Sequence, residues 1–287
     1  PGQKAGRVLA TGHQVGLYDA NILASGGAGS GQVLICGGYQ GRDPAVPNAQ
    51  AVYMSAGATI EANAREQGDG GQVVLWSDGS TRALGQVSAR GGTQGGDGGL
   101  IETSGQWLDV GGLRVDTRAL LGQIGTWLLD PADITISGAA TTDATATGGV
   151  FAPNSGVSAA NVNVADLVTA LGGSNVMVST ANTGLSGAGL GDIDVNAVLT
   201  WTAPTTLTLD AARDVNVNQA ITGTDGSLVL TAGRDVTVGA AITTTTGQLA
   251  FTAAQDVNIN AATTITTGNL QAVAGRNVTV SAASSVT

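Results

Sequence analysis

Apolar residues in the carboxy-terminal third of the chain return at one fixed interval. Leu207, Leu228, Leu249 and Leu270 are each 21 residues apart. Val215, Val236, Val257 and Val278 keep the same step, and so do Val217, Val238, Ile259 and Val280. Polar positions follow it too: Arg213, Arg234, Gln255 and Arg276, each followed by Asp214, Asp235, Asp256 or Asn277. Within a repeat the alternation has period two. Leu228, Leu230 and Ala232 share one face of their segment, as Val236 and Val238 do of theirs, which is the pattern of a strand with one side buried. Thr, Val, Asn and Gly dominate and argue against helix. An interval of about 20–25 residues made of strands predicts a solenoid. The expected fold is all-β: a parallel β-helix with one repeat per coil, stacking Leu on Leu and Val on Val. Roughly eleven to thirteen coils at about 4.8 Å each predict a rod about 50–60 Å long.

Residues 1–136 carry a looser version of the same pattern. Val8, Val33, Val73 and Ile101 begin similar strands, and Ile22, Ile60, Val87 and Val115 begin a second set. The last two intervals of the second set are 27 and 28 residues, but the first is 38. An insertion over about 40–50, with Gly41, Pro44 and Pro47, accounts for the difference. Glycine clusters at 26–31, 68–71 and 95–99 mark corners. Residues 137–191 break the pattern, with 137–156 reading as an extended excursion rich in Ala, Thr and Gly. One short helix is expected at 163–172: Val164, Leu167, Val168 and Leu171 share a face, Asn163 is an N-cap, and Gly172-Gly173 is a stop. Its single apolar stripe predicts docking on the flank of the rod. Regular 21-residue coils fill 192–287.

Composition narrows the functional classes. Glycine is 45 of 287 residues, and only 11% of the chain is charged, yet 42% is hydrophobic. Disorder driven by low hydrophobicity is therefore a poor reading. Net charge is −10, and Lys4 stands beside ten arginines. No basic run exists to neutralise phosphates, so nucleic-acid binding is disfavoured. No apolar run is long enough for a membrane helix, so membrane insertion is not expected. The chain begins without Met or a signal-like segment and ends part-way through a repeat, which reads as a fragment of a longer protein.

Candidate chemistry is sparse, and no catalytic, cofactor-binding or metal-binding residue is assigned. His13 is the single histidine, which argues against a Ser-His-Asp triad or a multi-histidine zinc site. Cys36 is the single cysteine, in the apolar stretch Val33-Leu34-Ile35-Cys36, and reads as a buried, inert thiol. Gly68-Asp69-Gly70-Gly71 and Gly95-Gly96-Asp97-Gly98-Gly99 look like pieces of calcium-binding glycine repeats, but their period is wrong and tight corners explain them better. The Arg-Asp columns read as a corner salt-bridge network. Asp192 and Asp194 could in principle do acid–base work, but so could many surface pairs. Asn216, Asn218, Asn258 and Asn260 face outward beside Thr237 and Thr279. A flat Thr array can order water, as in ice-binding solenoids, but these columns mix Asn, Thr, Gly and Ser, which disfavours that role. Trp76, Trp107, Trp127 and Trp201 are too scattered for a sugar platform and read as core or corner packing.

Between 31 and 136 the pieces occur in a specific order. They are Gly37-Gly38-Tyr39-Gln40-Gly41, Pro47-Asn48-Ala49, Gly57-Ala58-Thr59-Ile60-Glu61-Ala62, Gly68-Asp69-Gly70-Gly71-Gln72-Val73-Val74-Leu75-Trp76-Ser77-Asp78, Gly96-Asp97-Gly98-Gly99-Leu100-Ile101-Glu102-Thr103-Ser104-Gly105, and Trp127-Leu128-Leu129-Asp130-Pro131. This order resembles that of large secreted adhesins of the filamentous-haemagglutinin type. The resemblance implies a right-handed parallel β-helix. It also implies export through a dedicated outer-membrane β-barrel transporter of a Gram-negative bacterium (two-partner secretion), followed by residence on the cell surface or outside the cell. The expected role is a structural or adhesive fibre segment that meets a host or matrix glycan or protein. The alternatives are the shaft of a contact-dependent toxin-delivery protein and a β-helix carbohydrate-active enzyme. No cofactor is implied.

Overall fold

A computed structural model describes residues 3–130, 133–140, 144–147, 150–153, 160–180 and 191–287. The chain is a parallel β-helix, with ten strands stacked in register along its first wall. The ten are Arg7–Ala10, Gln32–Ile35, the start of Gln72–Ala83, Leu100–Ser104, Thr126–Asp130, Asn175–Ser179, Thr206–Ala211, Ser227–Ala232, Leu249–Ala253 and Leu270–Ala274. Every neighbouring pair is parallel. The 21-residue period is the pairing register: Leu207 lies on Leu228, Leu228 on Leu249, and Leu249 on Leu270. The second wall repeats this with Val215, Val236, Val257 and Val278. Ten coils is fewer than the eleven to thirteen expected, and nine steps of about 4.8 Å give a rod of about 43 Å. The insertion in the second coil and the excursion after 137 consume chain without adding height.

Core columns run the length of the rod. Val215, Val217, Val236, Val238, Leu230, Phe251 and Val257 are fully buried. Burying one such side chain contributes about 1.5–3 kcal/mol. Ordering some 21 residues costs a comparable amount or more, so single coils depend on their neighbours. One corner explains much of the glycine. A Cβ on Gly99 would stand 2.0 Å from the Gly71 carbonyl oxygen, and one on Gly125 would stand 2.1 Å from that of Gly99. The same overlap meets Gly31, Gly71, Gly247 and Gly268 from the coil beneath each. Only glycine lets the backbones approach this closely.

The insertion folds back over the outside of the first wall. It contains the short 3-10 turn Tyr39–Gly41. Beneath it Leu34, Val46, Val74 and Trp76 form a second apolar cluster separate from the core. Gly37 and Gly41, both with left-handed φ, rest directly on the Trp76 ring. Trp127 and Trp201 belong to the main core, and Trp107 is buried. Tryptophan therefore packs as expected, with Trp76 on the outer face.

The helix, α1, is Val164–Leu171. Asn163 caps it by accepting the Ala165 N–H at 2.8 Å, and Gly172 ends it. Leu167 and Leu171 are fully buried, with Val164 and Val168 packed beside them. The helix does not dock on the flank of a finished wall; it takes the place of a strand. The third wall consists of a four-stranded sheet ending at Arg114–Asp116 and a five-stranded sheet starting at Leu199–Trp201, and α1 touches both. Chain order inverts just before it. In the second wall, Ala160–Asn163 lies beneath Ile134–Ser137, against Trp107–Asp109, although it comes later in sequence. The excursion between them includes an antiparallel hairpin, Ala144–Thr147 with Val150–Pro153. Parts of it lie outside the described residues, as does 181–190.

Candidate functional site

Replacing one strand by α1 leaves a recess in the third wall. Strands Thr59–Glu61, Gln86–Ser88 and Arg114–Asp116 form its floor, and Thr169, Gly172 and Gly173 form its rim. Period-two alternation turns Ile60, Val87 and Val115 inward and presents Thr59, Glu61, Gln86, Ser88, Arg114 and Asp116 to the recess. The recess holds about 450 Å³ and continues through Glu61, Arg90, Arg118 and Gly172 into a more apolar trough of about 680 Å³. Arg65, Ala64, Leu120, Ile124 and Pro204 line the trough, with Leu120 73% exposed.

Four of the ten arginines meet here, a local basic patch that the linear sequence does not display. Arg118 grips Asp116 with two hydrogen bonds, Nε at 2.9 Å and Nη2 at 2.6 Å. Arg90 stands 3.9 Å from the same carboxylate. Burial by itself would raise the Asp116 carboxyl, but the hydrogen bonds and charge of Arg118, helped by Arg90, outweigh it and hold the group below its ordinary value. Arg118 is raised in turn. Its stem lies across Gly173, where a Cβ would stand 3.5 Å away. Arg65 and Arg114 make no ion pair among the described residues. Against these four arginines the groove offers only Glu61 and Asp116. It can therefore bind hydroxyl-rich or anionic groups through guanidinium forks, with an apolar trough alongside.

The residues singled out from sequence fall elsewhere. The Arg-Asp columns form the expected corner network, but each arginine reaches back one coil. Arg213 Nε donates to Asp192 at 2.6 Å, Arg234 Nε to Asp214 at 2.7 Å, and Arg276 Nε to Asp256 at 2.9 Å. Asp192 is thus occupied by Arg213, and Asp194 accepts a hydrogen bond from Asn216 at 2.9 Å. Asp69 and Asp97 accept backbone N–H groups of the following coil, from Asp97 and Gln123, both at 2.8 Å, as corners do. Cys36 is fully buried, but it sits in a left-handed turn after the strand ends at Ile35. Burial pushes its thiol up, which keeps it unreactive. His13 is exposed.

Glu102 carries no signal in the sequence. It occupies an outward strand position, in register between Val74 and Leu128, yet it is fully buried because the insertion covers it. Burial raises its carboxyl to about 7, opposed by the Gln40 N–H and the Ser104 hydroxyl and assisted by the charge of Asp130. Tyr39 is raised as well, by burial first and then by Glu102 and Asp130. In this closed arrangement the carboxylate holds the insertion and does not face solvent.

No protein-family model matches the chain. No curated protein matches it either.

Proposed function

We propose that the chain is a segment of a secreted cell-surface fibre, structural and adhesive, of the filamentous-haemagglutinin type. In this reading an outer-membrane β-barrel transporter exports the parent protein, and the rod meets host or matrix glycans or proteins. The uninterrupted ten-strand first wall carries the proposal: it suits a spacer whose stiffness comes from stacked coils. The order of sequence pieces between 31 and 136 supports the family, and the arginine-lined groove beside α1 supports contact with sugar hydroxyls or acidic groups.

The test is a glycan and matrix-protein array probed with the folded chain. Arg65→Ala/Arg114→Ala removes guanidinium groups that brace nothing in the fold, and Arg7→Ala serves as control. Saturable binding lost in the double variant and kept in the control supports an adhesive segment. Absence of binding across the array removes the adhesive part of the reading and leaves a spacer.

A further inference from the structure

The third wall beyond α1 carries two parallel columns of hydroxyls. The first is Thr200, Thr222, Thr243, Thr264 and Ser285, each paired in register with the next. The second, two residues on, is Thr202, Thr224, Thr245, Thr266 and Thr287. Backbone bonds extend the pairing to it: Thr224 N–H to the Trp201 carbonyl at 3.0 Å, Thr266 N–H to that of Thr244 at 3.1 Å, and Thr287 N–H to that of Ile265 at 3.0 Å. At Thr245 the amide reaches the Thr224 carbonyl instead, also at 3.0 Å. All ten side chains are exposed or half-buried, while between the columns Trp201, Gly223, Thr244 and Ile265 are buried and only Val286, in the last coil, is exposed. The motif is Thr-x-Thr repeated coil after coil on a rigid sheet.

Three observations distinguish this wall from the mixed Asn and Thr face read from sequence. First, its hydroxyls are unspent: none of the eight threonines from Thr200 to Thr266 in these columns makes a side-chain hydrogen bond among the described residues. On the second wall, by contrast, Asn216 bonds Asp194, Asn218 bonds Asn196 and Ser281 bonds Asn260. Second, the columns are neutral in a chain of net charge −10. Ala220, Ala241, Ala262 and Ala283 flank one side, and the carboxylate at the other edge, Asp225, accepts the Thr246 hydroxyl at 3.1 Å. Third, the geometry is two-dimensional: steps of about 4.8 Å along the rod and about 6.6 Å across a strand.

We propose that this wall is an ice-binding face whose occupant is the neutral, ordered water lattice of ice. The two repeats lie close to those of oxygen atoms on a prism face of ice. The hydroxyls take lattice water positions as donors and acceptors, while the γ-methyls and flanking alanines border the water between them without competing for its hydrogen bonds. A lattice without net charge is complemented by a face without charge. The β-branched side chains sit on a sheet with a packed interior and lose little freedom on binding. Individual contacts are weak, but ten of them on one rigid template act together. The arginines of the groove, Arg65, Arg90, Arg114 and Arg118, belong to coils before α1, and only the rim of the trough at Ala203, Pro204 and Thr205 comes near Thr202, so the two surfaces can be tested separately.

The test uses the full 287-residue chain, fluorescently labelled, in ice-partitioning and ice-recrystallisation assays. Wild type is expected to enter a growing ice hemisphere and to arrest recrystallisation, where an albumin control does neither. Thr222→Tyr and Thr243→Tyr put knobs on the centre of the face and are expected to reduce both readouts to the albumin level. Thr237→Tyr on the second wall is expected to leave them unchanged. Circular dichroism melts establish that all variants are folded, and Thr243→Val, which keeps the shape, guards against a folding defect. Wild-type exclusion from ice overturns the proposal, and so does full activity in the folded Thr222→Tyr/Thr243→Tyr double variant.

Discussion

The backbone N–H of Gln40 donates to both carboxylate oxygens of Glu102, at 3.0 and 3.1 Å, across 62 residues of sequence. Gln40 reaches this position with a left-handed φ of 55°, and Ser104 Oγ donates to the same carboxylate at 3.0 Å. One buried acid thus holds the insertion of the second coil against the outside of the first wall.

Glu102 should make stability fall as pH rises. Its carboxyl is raised to about 7 in the fold, mainly by burial. The protonated form is therefore favoured by folding. The contribution is fully present below the unfolded value, near 4.5, and is lost as pH rises through about 7. The shift corresponds to about 3 kcal/mol between these limits. Thermal melts of wild type and Glu102→Gln at about pH 5 and about pH 8 check this. Glu102→Gln should flatten the dependence and be the more stable protein at the higher pH; an identical slope in both proteins contradicts it. Tyr39, Ser104 and Asp130 lie near the acid and stay unchanged in the comparison.

The corner ladder has a gap that can be filled. Gln255 stands where Arg213, Arg234 and Arg276 stand in other coils, so Asp235 receives no guanidinium from the coil above it. Gln255→Arg should restore that pair and raise the melting temperature slightly, as exposed pairs do, and high salt should remove the gain. A gain that persists in high salt points to packing of the longer stem instead.

Two glycines should respond oppositely to alanine. Gly6→Ala meets no atom within 4 Å and should be close to neutral. Gly99→Ala drives a Cβ into the Gly71 carbonyl at 2.0 Å and should destabilise by at least ~2 kcal/mol. Urea unfolding midpoints distinguish them, and equal values argue against the close coil approach at this corner.

The valine column should fail cooperatively. Val236 is fully buried between Val215 and Val257. Val236→Asp places an unpaired carboxylate there and should destabilise by more than about 4 kcal/mol. Hydrogen exchange should rise in the coils on both sides as well as in its own. Loss of protection confined to 227–247 indicates independent coils.

The regular coils were legible because core positions in a solenoid recur at the pairing register, so Leu207 and Val215 announce their partners directly. The helix was legible from Asn163, its apolar stripe and Gly172. Its place in the third wall was not, because that depends on Ala160–Asn163 running back beneath Ile134–Ser137, and period and propensity contain no such information. Glu102 alternates like a solvent-facing strand residue; only the folded insertion buries it. The arginine groove stayed hidden because Arg65, Arg90 and Arg114 are separated by 25 and 24 residues in sequence and become neighbours only by stacking. The Thr-x-Thr columns follow the same 21-residue period as the valines, but the sequence reading weighed only the mixed Asn and Thr columns of the second wall.

The inverted order in the second wall has a kinetic consequence. A solenoid wound from its amino terminus can lay each turn on a completed one. Here Ile134–Ser137 rests on Ala160–Asn163, so its seat does not exist until the later strand arrives. Winding from the first coils must pause at this point, with the edge of Trp107–Asp109 uncapped, until the excursion has passed and returned. Assembly as two halves joined by a delayed closure is the expected consequence, with Ala160–Asn163 and α1 as the clasp between them.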